Sequence, residues 1–179
     1  LELPFVDSVI VGDGETPFLR LCALIANDDE DPHFPGLHLK ESGFRNGHDA
    51  FYIQENLDDL PIPDRTFLDL EKYSSVLSKT DFVTTMISSR GCPYKCTFCN
   101  SPGALQQYKD QNAGNFLRKK TTSRLETELK QLASNYFAEF VYFTSDTFLH
   151  FTDKEFDEFI EMYSGIKITF WMQTRPETI

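Results

Sequence analysis

Long hydrophobic runs are missing from this 179-residue chain. No stretch approaches the roughly eighteen consecutive apolar residues of a transmembrane helix, so no membrane span is expected. The first residues, Leu1-Glu2-Leu3-Pro4, lack a signal peptide's basic flank and apolar stretch. They also lack a starting Met, and the chain reads as a piece of something longer. Cysteine is scarce. The four residues Cys22, Cys92, Cys96 and Cys99 are too few and too bunched for a secreted disulfide framework. A reducing cytoplasm, with a metal or redox role for the thiols, is the expectation. Basic residues are in deficit, 17 against 28 acidic, for a formal charge of −11. The deficit is local: residues 1–75 carry 16 acidic and 5 basic side chains, and residues 76–179 carry 12 of each. That shift suggests a boundary near residue 75. An acidic half repels a phosphate backbone, so nucleic acid is an unlikely partner. Internal repeats and low-complexity tracts are absent. The 40% hydrophobic and 14% aromatic content is enough to bury a sizeable core.

Residues 5–11 form a short apolar run that stops at Gly12-Asp13-Gly14-Glu15. This reads as a buried parallel strand entering a glycine-rich loop. A helix follows, with Pro17 in its first turn and Phe18, Leu21, Cys22 and Ile25 at helical spacing. Cys22 is expected in the core. Residues 37–40 and 51–54 read as two strands of a hairpin around residues 42–47. The segment Leu57-Asp58-Asp59-Leu60-Pro61-Ile62-Pro63-Asp64 is punctuated by proline and reads as an extended crossing between domains.

Residues 82–87 read as the next strand, leading into the cysteines. Residues 100–121 show no periodicity. A helix is expected from Ser123, with Ser123 and Glu126 as a capping box and Leu125, Leu129, Leu132 and Tyr136 on one face. Residues 139–143 read as a strand. A helix from Thr152 or Asp153 should bury Phe156, Phe159, Ile160 and Tyr163 and end at Gly165. Residues 167–173 read as the last strand. The second half thus reads β-loop-α-β-α-β, an α/β pattern of parallel strands. About 100 residues cannot complete a (β/α) barrel, which takes roughly 200 or more. Arg118-Lys119-Lys120 and Arg124 read as a solvated basic patch, and His150 as a surface residue.

The strongest signal is Arg90-Gly91-Cys92-Pro93-Tyr94-Lys95-Cys96-Thr97-Phe98-Cys99. Three thiolates in one loop can hold three irons of a cubane cluster and leave the fourth iron open to a ligand. A closed zinc site wants four ligands, and no second Cys or His pair follows Cys99. A non-catalytic iron–sulfur or zinc module stays open as an alternative.

Three cysteines so spaced, with an aromatic before the last and a strand ahead, resemble the radical S-adenosylmethionine (SAM) superfamily. The segments Gly12-Asp13-Gly14-Glu15, residues 57–64 and Ser89-Arg90-Gly91-Cys92-Pro93 are similar to its subgroup with an N-terminal cobalamin-binding domain. So are Phe143-Thr144-Ser145-Asp146-Thr147-Phe148 and Gln173-Thr174-Arg175-Pro176-Glu177, at the ends of the expected second and third barrel strands. The resemblance implies the C-terminal remnant of a Rossmann-like cobalamin-binding domain, with hairpin and linker, over 1–75. The N-terminal half of a radical SAM barrel follows over 76–179.

It further implies that Cys92, Cys96 and Cys99 ligate a [4Fe–4S] cluster. One electron from that cluster would cleave SAM to methionine and a 5′-deoxyadenosyl radical. Phe98, Ser145, Asp146 and Arg175 would contact SAM: Phe98 near the adenine, Asp146 toward the ammonium and Arg175 toward a carboxylate. Gly12, Asp13, Gly14 and Glu15 would lie near the tail of cobalamin. The implied reaction is methyl transfer, radical cyclisation or rearrangement of a small metabolite. A flavodoxin or ferredoxin would donate the electron, and anaerobic conditions are implied. A methylthiotransferase is a second enzyme reading, which wants a further cysteine-bearing domain.

Overall fold

The computed structural model describes residues 3–27, 33–40, 51–77 and 82–178. The chain divides into two compact units, one of residues 1–55 and 95–116, the other of residues 56–94 and 117–179. The change of charge near residue 75 falls inside the second unit.

The second unit is built on a three-stranded parallel sheet. Its strands are β3 (Val83–Met86), β6 (Phe140–Phe143) and β7 (Thr169–Met172), in that order, with Met86, Phe143 and Met172 in register. Helix α2 (Leu70–Leu77) precedes β3, α4 (Thr122–Tyr136) precedes β6, and α5 (Asp153–Ser164) precedes β7. The expected alternation and strand direction are present. Leu125, Leu129, Leu132 and Tyr136 are all buried. They repeat at i, i+4, i+7 and i+11, which keeps one stripe against the sheet. The helix starts one residue ahead of Ser123, because Thr121 is the cap: its hydroxyl accepts the Arg124 N–H at 3.2 Å. Helix α5 starts as expected. Thr152 and Glu155 form a capping box, with 3.3 Å and 2.7 Å hydrogen bonds in the two directions.

The core joins Met86, Val141, Phe143 and Ile168 of the strands to the α4 stripe, Phe148 and Phe159. Phe148 packs 4.7 Å from Phe143 and 5.2 Å from Phe159, ring centroid to centroid. Of the four expected α5 core positions, Phe159 is buried and Tyr163 half-buried, while Phe156 and Ile160 are exposed. The other face of the sheet carries Thr85, Tyr142 and Trp171 in one row. Tyr142 and Trp171 stack at 4.2 Å with planes 11° apart, and Trp171 stays 41% exposed.

The basic cluster is spent on internal partners. Glu128 is buried and takes Lys120 at 2.7 Å and Arg124 at 2.6 Å. Arg124 also reaches the Leu60 carbonyl at 2.6 Å, and the Thr121 N–H donates to Asp58 at 3.1 Å. Residues 57–64 are thereby docked on the start of α4 within the same unit.

The first unit is thinner. Strand β1 (Ser8–Ile10) pairs antiparallel with β2 (Leu37–Leu39), so the expected parallel strand over 5–11 is corrected in direction and length. The ladder is three residues long, and the Asp7 carbonyl and the Val11 N–H add one backbone hydrogen bond at each end, to Lys40 and Gly36. The expected hairpin is corrected: residues 37–39 pair with β1, and within 51–54 Tyr52 makes an isolated parallel bridge to Gly12, while the turn, 42–47, lies outside the described residues. Helix α1 spans Glu15–Asn27. Its inward face is Pro17, Leu21 and Leu24, and Phe18 and Ile25 are 58% and 73% exposed. A one-residue shift rotates a helical stripe by about 100°, and it leaves Cys22 exposed rather than in the core. Helix α3 (Ser101–Asp110) occupies a stretch that read as aperiodic. It packs through Tyr108, edge-to-face with Phe51 at 5.7 Å and Phe116 at 4.9 Å.

Candidate functional site

The carboxyl ends of parallel strands gather loops and exposed backbone groups, and ligands collect there. In the second unit the end of β3 passes through Ile87 and Ser88 into β4 (Ser89–Arg90), which pairs antiparallel with β5 (Arg118–Lys119). Gly91 follows with φ +83°, a left-handed turn that glycine adopts without strain. Cys92 is the next residue and is half-buried. The cysteine segment therefore leaves directly from the end of the sheet.

Ser145 sits two residues past the end of β6 and is 1% exposed. Its hydroxyl oxygen accepts the Ser88 N–H at 2.9 Å and the Ser89 N–H at 3.2 Å. It also lies 2.8 Å from the Ser88 hydroxyl. The side chain ties β6 to the turn that launches the cysteine segment. Asp146, next in sequence, is exposed. Ser89 Oγ and Thr147 Oγ1 are buried here without a hydrogen-bond partner among the described residues.

Arg175 follows β7 and is half-buried. Its guanidinium lies 4.2 Å from the centre of the Tyr94 ring, and Nη2 bonds Glu177 Oε1 at 2.9 Å. Tyr94 was not among the residues that the sequence marks for a role. Its signal was an aromatic between the first two cysteines with no assigned task.

His150 Nδ1 lies 2.6 Å from the Thr147 carbonyl. A carbonyl only accepts, so Nδ1 carries the proton. The ring is half-buried rather than on the surface. Burial pulls its pKa below the ordinary 6.5, with the Thr147 contact opposing. Nearby, Lys119 bonds Glu155 at 2.6 Å. Burial pushes the Glu155 carboxyl up, but the hydrogen bonds from Lys119 and Thr152 outweigh it and hold the group at about 2.

The remaining site residues belong to the first unit. Cys99 donates its N–H to the Cys96 carbonyl at 3.2 Å, so these two cysteines share one turn. The Cys99 sulfur accepts the Ser101 N–H at 3.4 Å. Phe98, between them in sequence and in the turn, is 92% exposed. All four cysteines are free thiols. Among the described residues, no three His, Cys, Asp or Glu side chains gather closely enough to hold a metal ion.

The loop after β1 is fixed by residues 52–54. The Asp13 N–H donates to the Tyr52 carbonyl at 2.8 Å, and the buried Asp13 carboxylate accepts the Gln54 N–H at 2.8 Å. Gly12 has φ +95°, and a Cβ there would meet the Tyr52 carbonyl oxygen at 2.1 Å. Gly14 faces open space, and Glu15 is exposed at the start of α1.

The family model of the radical SAM superfamily matches residues 86–178, more than half of the chain. The chain belongs to the radical SAM superfamily. That is a superfamily of enzymes that use SAM and a [4Fe–4S] cluster. The matched span runs from the end of β3 to the turn after β7, so it takes in all three cysteines of the segment. The chain is 29% identical over 180 residues to an uncharacterized methyltransferase, PH0819, of Pyrococcus horikoshii. That match covers 99% of this chain and 36% of the relative. It is also similar to the solved structure of the radical SAM methyltransferase TsrM from Kitasatospora setae, which has cobalamin and a [4Fe–4S] cluster bound. There the TM-score is 0.55 at 14% identity, over 89% of this chain and 29% of that one. The likeness supports the α/β fold with its parallel sheet. The chain spans about a third of the length of these relatives. Among the described residues, no helix is long and apolar enough to cross a membrane.

Proposed function

We propose that this radical SAM chain is the cluster-bearing part of a cobalamin-dependent methyltransferase. In this reading residues 1–75 are the tail of a cobalamin-binding domain with its linker. Residues 76–179 are the N-terminal half of the barrel. Cys92, Cys96 and Cys99 are the cluster ligands. The observation that carries the reading is three free thiols within eight residues, launched from the carboxyl end of a parallel sheet.

The residues fit an iron–sulfur cluster. Sulfur is the donor such clusters take, and the Ser101 N–H on the Cys99 sulfur is a contact that tunes cluster potential. The bound cluster supplies the electron that splits SAM into methionine and a 5′-deoxyadenosyl radical. The chain's own residues bind and orient. Phe98 offers an exposed ring face to the adenine. Asp146 accepts from the SAM ammonium at the mouth, and Arg175 is the partner for a carboxylate. Ser145 ties the end of β6, next to Asp146, to the turn that leads to Cys92. In the loop after β1, Gly14 is the residue open to a ligand, while Gly12 is taken up by Tyr52. The methyltransferase names of both relatives favour methyl transfer over cyclisation or rearrangement. The substrate is a small organic molecule, the electron comes from a flavodoxin or ferredoxin, and the setting is an anaerobic cytoplasm.

The test is electron paramagnetic resonance of the anaerobically reconstituted, reduced chain, with and without SAM. A [4Fe–4S] signal that shifts with SAM and is lost in Cys96→Ala is the expected result. A signal indifferent to SAM would replace the reading with an electron-transfer or structural cluster. Tight zinc binding with no cluster would remove the radical chemistry from this chain.

A further inference from the structure

The first arm of the cysteine segment is held by little backbone structure. Among the described residues, none from Gly91 to Lys95 makes a backbone–backbone hydrogen bond. A segment without such bonds keeps a position only through its side chains. One side chain here has a defined partner, Tyr94, whose ring lies under the Arg175 guanidinium at 4.2 Å. Arg175 is itself fixed. Its carbonyl accepts the Thr178 N–H at 3.0 Å and hydroxyl at 2.7 Å, and Glu177 holds Nη2 at 2.9 Å.

We propose that Tyr94 and Arg175 form a clamp that fixes the Cys92 arm to the end of β7, with Tyr94 a positioning residue for Cys92. A planar guanidinium on an aromatic face is attracted by the ring quadrupole and keeps its in-plane N–H donors available. Arg175 thus serves the loop through its face while its edge still engages a carboxylate, as Glu177 does now. The bearing of the clamp on the cluster rests on Cys92 being a ligand; the clamp itself does not.

Lys95 is exposed and follows Tyr94 directly. Cleavage of the folded, metal-free chain by a lysine-specific protease therefore reads how often the arm is released. Tyr94→Leu and Arg175→Gln are each expected to speed cleavage at Lys95 by about two- to five-fold. Rates are taken relative to the same unfolded variant. The double variant should be no faster than the faster single, since both remove one contact. Tyr94→Phe keeps the ring and should stay near the parent rate, while Arg175→Lys keeps the cation without the stacking plane and should fall between the parent and Arg175→Gln. Additive single effects, or Tyr94→Phe as fast as Tyr94→Leu, would overturn the clamp. If Tyr94→Leu fails to fold, Arg175→Gln against Arg175→Lys decides alone: equal rates refute the clamp. In the reconstituted protein, Tyr94→Leu should lower cluster occupancy and Tyr94→Phe restore it. A Cys92→Ala variant with full cluster would refute the ligand reading and leave the clamp, read without metal, untouched.

Discussion

The two units solve the same problem with different means. The unit of residues 56–94 and 117–179 buries a contiguous cluster of aromatic and aliphatic side chains between a parallel sheet and two helices. The other unit buries Leu24 and Leu37 and leaves Phe5, Phe18, Leu19 and Ile25 exposed. Its loop after β1 is held by hydrogen bonds of the Asp13 backbone and carboxylate to residues 52–54 rather than by a packed core. A packed core resists change through its volume. A backbone-tied loop resists change through its conformation. The sensitive positions should therefore be large apolar residues in one unit and a glycine in the other.

The sharpest test of that contrast is a pair of truncations. Leu129 has no exposed surface, and Leu129→Ala should cost about 2–5 kcal/mol in chemical denaturation. Leu24→Ala, at the rim of the thinner unit, should cost less. Equal losses would erase the distinction.

Next in size is Gly12→Ala. Positive φ and a Cβ 2.1 Å from the Tyr52 oxygen are both unfavourable, so a loss of roughly 1–3 kcal/mol is expected. Gly14→Ala meets nothing within 4 Å and should leave the melting temperature nearly unchanged. A stability loss at Gly14 instead would move the strained position along the loop.

The smallest effect is electrostatic and confined to the larger unit. Glu155 sits at about 2 in the folded chain against an ordinary 4.5. Its contribution is full above pH 4.5 and is lost as pH falls toward 2. His150 is also lowered from 6.5, because burial disfavours the charged ring. The fold prefers it neutral, so its contribution is present above pH 6.5 and is lost as pH falls below that value. Melting temperatures of His150→Asn should fall less steeply below pH 6.5 than those of the parent. A parallel profile would remove His150 from the balance.

The legible parts of this chain are those where one force dominates. The stripe of α4 and the start of α5 follow from burial and capping, and both stood in the sequence. The parallel β3-β6-β7 sheet followed from the alternation of patterns. Helix α3 was not legible, because it carries its packing on one side chain, Tyr108, rather than on a repeating face. The α1 face was misjudged because apolar residues occupy both Phe18 and Pro17, and periodicity alone does not say which stripe turns inward. At the site, the cysteines were visible through their spacing. The work of Ser145 was not, since its partners are backbone groups 56 and 57 residues away.

The Tyr142–Trp171 stack gives this protein a built-in optical gauge. Trp171 is the chain's one tryptophan, so all indole fluorescence comes from a single point on the sheet face opposite α4 and α5. At 4.2 Å, light absorbed by Tyr142 passes almost wholly to that indole. Whatever comes to cover the face, be it further chain or a bound molecule, would be read as a blue shift of one emission band, with no label attached.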